Sequence, residues 1–365
     1  MSKLTQKVKK VFKHYLWHKR KSVSGEDCRK FAIKICIVPC EYVVRKADLP
    51  IKHKGYKWVG GQWTGNKFYG VPNDEKAFLF YDKNGPQIGD SQFTGCFKWT
   101  GGCIWKDKMY CFPRSRNSFL VYDLKTEEEY ERFLPCVYLD EHHYGGVRTG
   151  EGIVYQPPRN TDHILVTDLK YFAVRKILLA PSWMRMKFRY CGSIIHPNGY
   201  IYFLPERDQK VIKFNPVDET WCYIGKEISP FVFDAKVGCD GNIYGYSAYS
   251  DGILKIDVFA DEVSMLHTEV KPEAYGTKMG INGKLYSVPG AGGEIYEYDI
   301  ESDILRSIYH VPEDVEVKFA GGATNVDGRI IFAPAECSSV LILEPEVRGY
   351  EIPFEDYEKI YVDFY

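Results

Sequence analysis

Apolar and polar positions alternate with period two over most of the chain, in short runs cut by Gly, Pro, Asn and Asp, which is the pattern of strands joined by tight turns. The stretch from Lys318 to Glu344, KFAGGATNVDGRIIFAPAECSSVLILE, shows the grammar best. A first strand runs to a turn at Asp327-Gly328, a second ends at Pro334, and a third is the apolar run Val340 to Leu343. The exception is residues 1–21, where Leu4, Val8, Val11, Phe12 and Tyr15 fall at spacings of three and four among lysines. That spacing predicts a basic amphipathic helix. Residues 22–50 read as a connector in which Ile35–Val38 and Tyr42–Val44 are short strands, either able to supply the outer strand that closes a ring.

From residue 57 the grammar repeats. Aligned on a Gly pair, a Pro and a terminal acid or Asn, the copies end at Asp82, Asp123, Asp168, Asn215, Asp257, Asp299 and Glu344, in steps of 41, 45, 47, 42, 42 and 45 residues. That period is the length of one four-stranded propeller blade. Asn198-Gly199, Asp240-Gly241, Asn282-Gly283 and Asp327-Gly328 suit hairpins that need positive φ. The Pro ends the second strand, where a missing N–H matters least. The paired Gly of the first strand permit close approach at a crowded axis. The expected fold is all-β: a seven-bladed propeller of four-stranded antiparallel blades over 51–365, with blades starting near 57, 98, 142, 189, 231, 273 and 318, preceded by a basic helix and connector over 1–50. Tyr350–Phe354 is expected as the outer strand of blade seven, with Ile360–Tyr365 as a further closing strand.

These repeats resemble the kelch-like and WD-repeat-like superfamily of seven-bladed propellers, in the bacterial type reading GG…(D/N)GKIY…P…VLxID. The resemblance covers roughly residues 57–353 and implies the architecture. The Gly pair here sits in the first strand and no copy ends in Trp-Asp, so no binding residue of either family carries over.

Composition refines the reading. The chain has 48 basic and 49 acidic residues, but residues 1–21 hold eight Lys and Arg and no acid, leaving the remainder mildly acidic. A general nucleic-acid binder is therefore not expected. The basic segment fits an anionic membrane surface or an acidic partner, or the acidic propeller itself. Eleven Cys without a CxxC pair read as reduced thiols, which with no secretory signal suggests a cytoplasmic protein, peripheral at a membrane if the basic segment docks there.

In a propeller, the loops leading into the innermost strands and the turns between second and third strands gather on one face. The positions three and two before the Gly pair are Lys57-Trp58, Lys98-Trp99, His142-His143, Arg189-Tyr190 and Lys318-Phe319, with Phe231-Val232 and Glu273-Ala274 breaking the pattern. The other loops add Arg114, Arg116, Arg159 and Arg207, with Glu206 and Glu336. One reading is a funnel of cations and aromatic rings suited to an anionic glycan, a phosphorylated small molecule or an acidic peptide. The other is packing between blades, which the repetition itself favours, because structural positions repeat and sites do not. Asp140-Glu141-His142-His143 is metal-competent by residue type but lacks a third ligand at a usable spacing, so neither a metal nor a cofactor is expected. GxSxG, HExxH, P-loop and GxGxxG motifs are absent. The first expectation is a binding scaffold for a protein or anionic ligand. The alternative is a lyase or hydrolase acting on an anionic carbohydrate, with His142 or His143 and Arg159 or Arg189 in the funnel.

Overall fold

The computed structural model describes residues 12–15, 33–51, 55–135, 143–179, 189–207 and 209–346. Seven four-stranded antiparallel sheets form a propeller. The innermost strands are Trp58–Thr64, Trp99–Trp105, Val147–Arg148, Tyr190–Ile195, Lys236–Val237, Ala274–Met279 and Phe319–Thr324. Six of the sheets then step outward through hairpins in chain order, and the seventh does so as far as its third strand. Burial follows from this: the second and third strands, such as Lys108–Pro113 and Ser118–Asp123, are almost wholly buried, while outer strands such as Ala173–Leu178 alternate with solvent. The core is correspondingly divided. Tyr202, Leu204, Val232 and Leu254 fill the space between blades four and five, and Leu49, Trp58, Leu79 and Val340 that between blades seven and one. Each blade packs on its neighbours, so the fold needs no single large centre.

The ring is closed by the connector. Glu41–Asp48 pairs antiparallel with Ser339–Glu346 over eight residues, as the outer strand of blade seven. The position expected for Tyr350–Phe354 is thus held from the N-terminal side, and Tyr350–Phe354 and Ile360–Tyr365 lie outside the described residues. The propeller therefore draws on chain before residue 51. The Tyr42 hydroxyl donates to the Gly328 carbonyl at 2.8 Å and accepts from the Ile281 amide at 2.9 Å, tying the strand to the hairpins of blades six and seven.

The expected helix over 1–21 is corrected where it is described. Phe12–Tyr15 is a strand paired antiparallel with Ile33–Cys36, and among the described residues there is no helix. Phe, Tyr and Ile are strong strand formers, and a partner strand outweighs a helical spacing carried by so few apolar residues.

The Gly pairs act as expected. Gly60 and Gly321 adopt φ of 71° and 69°, and a Cβ on Gly60 would meet the Gly101 Cα at 3.0 Å. The register slips at the same place in five blades, between Trp58 and Gly61, Trp99 and Gly102, Tyr190 and Gly192, Ala274 and Thr277, and Phe319 and Gly322. Each slip is a bulge that lets one residue pack between blades while the next turns elsewhere.

His196 anchors the opposite face. It opens the Asn198-Gly199 hairpin, donates from Nε2 to the Gly241 carbonyl of blade five at 2.9 Å, and accepts the Asn198 amide on Nδ1 at 3.0 Å. Both nitrogens are satisfied only in the neutral ring, and burial pulls its pKa from 6.5 down to about 4. A group held neutral in the fold loses its contribution as pH falls and the unfolded chain takes up the proton. Between pH 6.5 and about 4 this costs about 3 kcal/mol. His196→Gln should be less stable at pH 7.5 and lose less on acidification than the parent; parallel melting curves for the two would refute the assignment.

Candidate functional site

The residues that repeat from blade to blade pack. Trp58 and Trp99 are fully buried, and their indole N–H groups donate to the carbonyls of Ala77 and Ser118 at 2.9 and 2.8 Å. Tyr190 is also fully buried and donates to the Lys210 carbonyl at 2.8 Å. His143 takes the same slot: Nδ1 lies 3.1 Å from the Pro157 carbonyl and the ring packs on His163 at 5.6 Å. The cations before these rings tie loops together. Lys98 donates to the carbonyls of Asn73, Glu75 and Gly95, each at 2.9 Å, matching the three donors of an ammonium. Burial pulls its pKa down to about 8. Lys318 donates to Ala291 and Val315, and Arg189 to Thr161. Lys57 is 2% exposed, and burial lowers its pKa. Arg116 bonds the Thr94 carbonyl and lies over Trp99, while Arg207 is exposed. His142 lies outside the described residues.

The structure gathers a different register at the axis. The residue immediately before the Gly pair is Val59, Thr100, Tyr144, Cys191, Phe233, Tyr275 or Ala320, in chain order. Val59, Tyr144, Cys191, Ala320, Phe233 and Tyr275 form one cluster with Tyr56. In blades one, four, six and seven the residue after the packed aromatic or Ala sits in the bulge and is released toward the centre, while Tyr144 and Phe233 come from the loops that enter the short innermost strands of blades three and five. Phe233 lies 5.5 Å from Tyr144 and 5.1 Å from Tyr275, ring centre to ring centre. Phe231 stacks edge-on against Phe233 at 5.0 Å and Tyr249 at 4.4 Å. The hydroxyls of Tyr249 and Tyr275 share a 2.9 Å hydrogen bond.

Two of the arginines singled out from sequence reach this cluster. The Arg114 guanidinium lies 4.5 Å from the Phe97 ring centre, 5.1 Å from Tyr144 and 6.0 Å from Tyr56. Arg159 lies 4.9 Å from Tyr144 and is held by a two-pronged bond to Glu206 at 2.8 and 2.9 Å. Such a fork fixes a guanidinium in orientation as well as charge. Burial, with Tyr144 adding, holds the Tyr56 hydroxyl well above the ordinary phenol range, against the pull of Arg114. Burial raises Tyr144 as well, against Arg114 and Arg159. The phenols therefore stay protonated at neutral pH. The rim is open: Tyr249 is 56% exposed and Phe97 45%. Phe97 and Phe231 hold φ of 52° and 48°, a left-handed backbone unusual for bulky residues and concentrated in nature at ligand-contacting loops.

Sequence reasoning missed Tyr56, Tyr144, Phe231, Phe233, Tyr249 and Tyr275. For Tyr144, Phe233 and Tyr275 the signal was the register immediately before the Gly pair, which changes from blade to blade. Away from the axis, a groove of about 570 Å³ between blades one and two is lined by Lys67, Phe80, Tyr122, Glu127 and Glu129 among others. Among the described residues no group of three or more His, Cys, Asp or Glu side chains is placed to hold a metal ion.

No family model matches the chain, and no curated protein matches it. Solved structures do. A streptogramin B lyase superposes with TM-score 0.69 at 13% identity, over 84% of this chain and 98% of that one. A catalytically inactive variant of virginiamycin B lyase from Staphylococcus aureus, bound to quinupristin, gives TM-score 0.69 at 14% identity, over 83% and 99%. The extracellular domain of a one-component system from B. thetaiotaomicron gives TM-score 0.62 at 11% identity, over 82% of this chain and 39% of that one. At these identities the likeness is one of fold: the chain is a seven-bladed β-propeller, a class that includes enzymes and sensor domains alike.

Proposed function

We propose that this propeller is a binding protein whose ligand sits over the axis, on the face that carries Tyr56, Phe97, Arg114, Tyr144, Arg159, Phe231, Phe233, Tyr249 and Tyr275. The observation that carries the reading is the convergence of Tyr56, Tyr144, Phe233 and Tyr275 from four different blades on one spot, with Arg114 over two of those rings. Tyr, Phe and Arg are the residues that concentrate binding energy, because they offer large rigid area with few torsions to freeze. The groups named for an enzyme support it less. His143 is buried in blade packing, Arg189 directs Nη2 to the Thr161 carbonyl, and Arg159 and Glu206 hold each other. An anionic small molecule or an acidic peptide remains the ligand class of choice, since Arg114 keeps its charge over the rings while that of Arg159 is balanced by Glu206.

The test is a thermal-shift screen of the full chain against uronic acids, phosphosugars, nucleotides and carboxylic acids. A ligand at a hundred times its dissociation constant adds about 2.7 kcal/mol to stability. Phe233→Ala and Arg114→Gln should each weaken a hit by about tenfold or more, while Lys67→Gln in the outer groove leaves it intact. A hit lost with Lys67 and kept in both axial variants would remove the site from the axis.

A further inference from the structure

The axial cluster is two-sided. Blades two and three contribute cations, Arg114 and Arg159; blades five and six contribute aromatic surface, Phe231, Phe233, Tyr249 and Tyr275. Tyr144 stands between, its ring centre 5.5 Å from that of Phe233 and 5.1 and 4.9 Å from the Arg114 and Arg159 guanidiniums. Rings gathered in this way can serve two opposite ligands. Aromatic cages take quaternary ammonium groups on their electron-rich faces. Aromatic floors also take flat rings, edge-on or offset.

The charges decide between them. Arg159 is paired two-pronged with the Glu206 carboxylate, which balances its charge, so Arg114, 5.1 Å from the Tyr144 ring centre and 6.0 Å from that of Tyr56, is the cation that weighs on a ligand. A second cation brought to these rings would meet repulsion from a guanidinium that cannot be deprotonated. An anion gains from the same charge. The phenols add to this, because a protonated hydroxyl donates to a carboxylate, and the Tyr249–Tyr275 pair uses only one of its two protons internally. Resting on the axial reading above, we infer that the ligand presents an aromatic ring joined to a carboxylate, with the carboxylate toward Arg114 and the ring toward Phe231, Phe233 and Tyr249. The same chemistry occurs in a free aryl carboxylic acid and at a peptide C-terminus ending in Phe or Tyr.

The full chain would be titrated, by ligand-observed NMR or calorimetry, with 3-phenylpropionate, cyclohexanecarboxylate, benzyltrimethylammonium and a short peptide ending in Phe. Phenylpropionate should bind at least tenfold more tightly than the ammonium probe, which carries the ring without the anion, and more tightly than cyclohexanecarboxylate, which carries the anion without the aromatic ring. Arg114→Gln should weaken phenylpropionate about tenfold and strengthen the ammonium probe. A folding defect would weaken both, so movement in opposite directions is the diagnostic, and Arg114→Lys, which keeps the charge, should fall between parent and Gln. A peptide that outbinds phenylpropionate, with the same Arg114 dependence, assigns the group to a chain terminus; the reverse order assigns it to a free acid. Equal or tighter binding of the ammonium probe, with loss in Phe233→Ala, would overturn the inference and leave the axial site standing. If no ring-bearing probe binds while an axis-dependent hit appears in the wide screen, the aryl carboxylate is likewise overturned and the site is kept.

Discussion

A chain that begins at residue 51 should melt far below the full-length protein and associate in solution, whereas one that begins at residue 37 should match the parent. The difference is the strand Glu41–Asp48. Without it, Ser339–Glu346 becomes an outer strand with an unpaired edge, and its apolar run Val340–Leu343, at most 2% exposed in the closed ring, faces solvent. Long apolar edges recruit further strands from other molecules. The packing lost is also large. Tyr42 and Val44 pack against the cluster between blades six and seven, and Leu49 belongs to that between seven and one. At roughly 1.5–3 kcal/mol per buried large side chain, the loss is comparable with the whole stability of a typical domain. Residue 37 is the right place to start because the Val38 amide still bonds the Ile281 carbonyl at 2.8 Å. Calorimetry and light scattering on the two truncations decide the matter, and a 51–365 fragment that melts as a monomer at the parent temperature would show that the ring holds without its clasp.

That clasp marks a boundary of what the chain's pattern reveals. Blade-internal structure is local: Asp-Gly turns, the Pro after the second strand and the closing acid sit within some forty residues of one another, and the hairpins follow in register. Pairing of Val44 with Leu343 joins positions at opposite ends of the chain. Alternation marks both as strands but does not say which strand meets which, and Tyr350–Phe354 offered an equally good pattern. Phe12–Tyr15 failed for the converse reason, since four residues at mixed spacing fit a helix or a strand until a partner is present. The site followed a third logic. Lys57, Trp58, Lys98, Trp99 and Tyr190 stood out because they recur, and recurrence is what inter-blade packing demands. Arg114 and Arg159 stood out for their charge on the correct loops, and they reach the axis. Tyr144, Phe233 and Tyr275 occupy a register whose other members are Val59, Thr100, Cys191 and Ala320, so each is invisible blade by blade. Their convergence comes from the closed ring, helped at Tyr275 by the bulge in its own strand.

Directly beside Phe233, the carboxylate of Asp234 should prove a sensitive charge in the ring: Asp234→Ala is expected to cost about 3–5 kcal/mol. Asp234 bonds Lys278, on the innermost strand of blade six, through a short contact, and Lys236 at 3.2 Å. Lys278 has a side chain only 5% exposed. Burial favours neutral Lys278 and lowers its pKa, although Asp234 opposes the shift. Burial would raise Asp234, but Lys236 and Lys278 together hold it below the ordinary carboxylate range. Removing the carboxylate leaves a buried ammonium facing a second lysine, which is far worse than removing the pair. The double variant Asp234→Ala/Lys278→Met should therefore recover most of the loss. The sign with pH follows from the lysine. Deprived of Asp234, Lys278 binds its proton less tightly in the fold than in the unfolded chain, so the unfolded state holds more protons and stability rises with pH. The deficit of Asp234→Ala should narrow between pH 7 and 10, while the double variant shows no such recovery. Chemical denaturation at three pH values tests this directly. A deficit independent of pH, shared by the double variant, would mean that Asp234 acts through the backbone turn that places Phe233 at the axis, and that the lysines are bystanders.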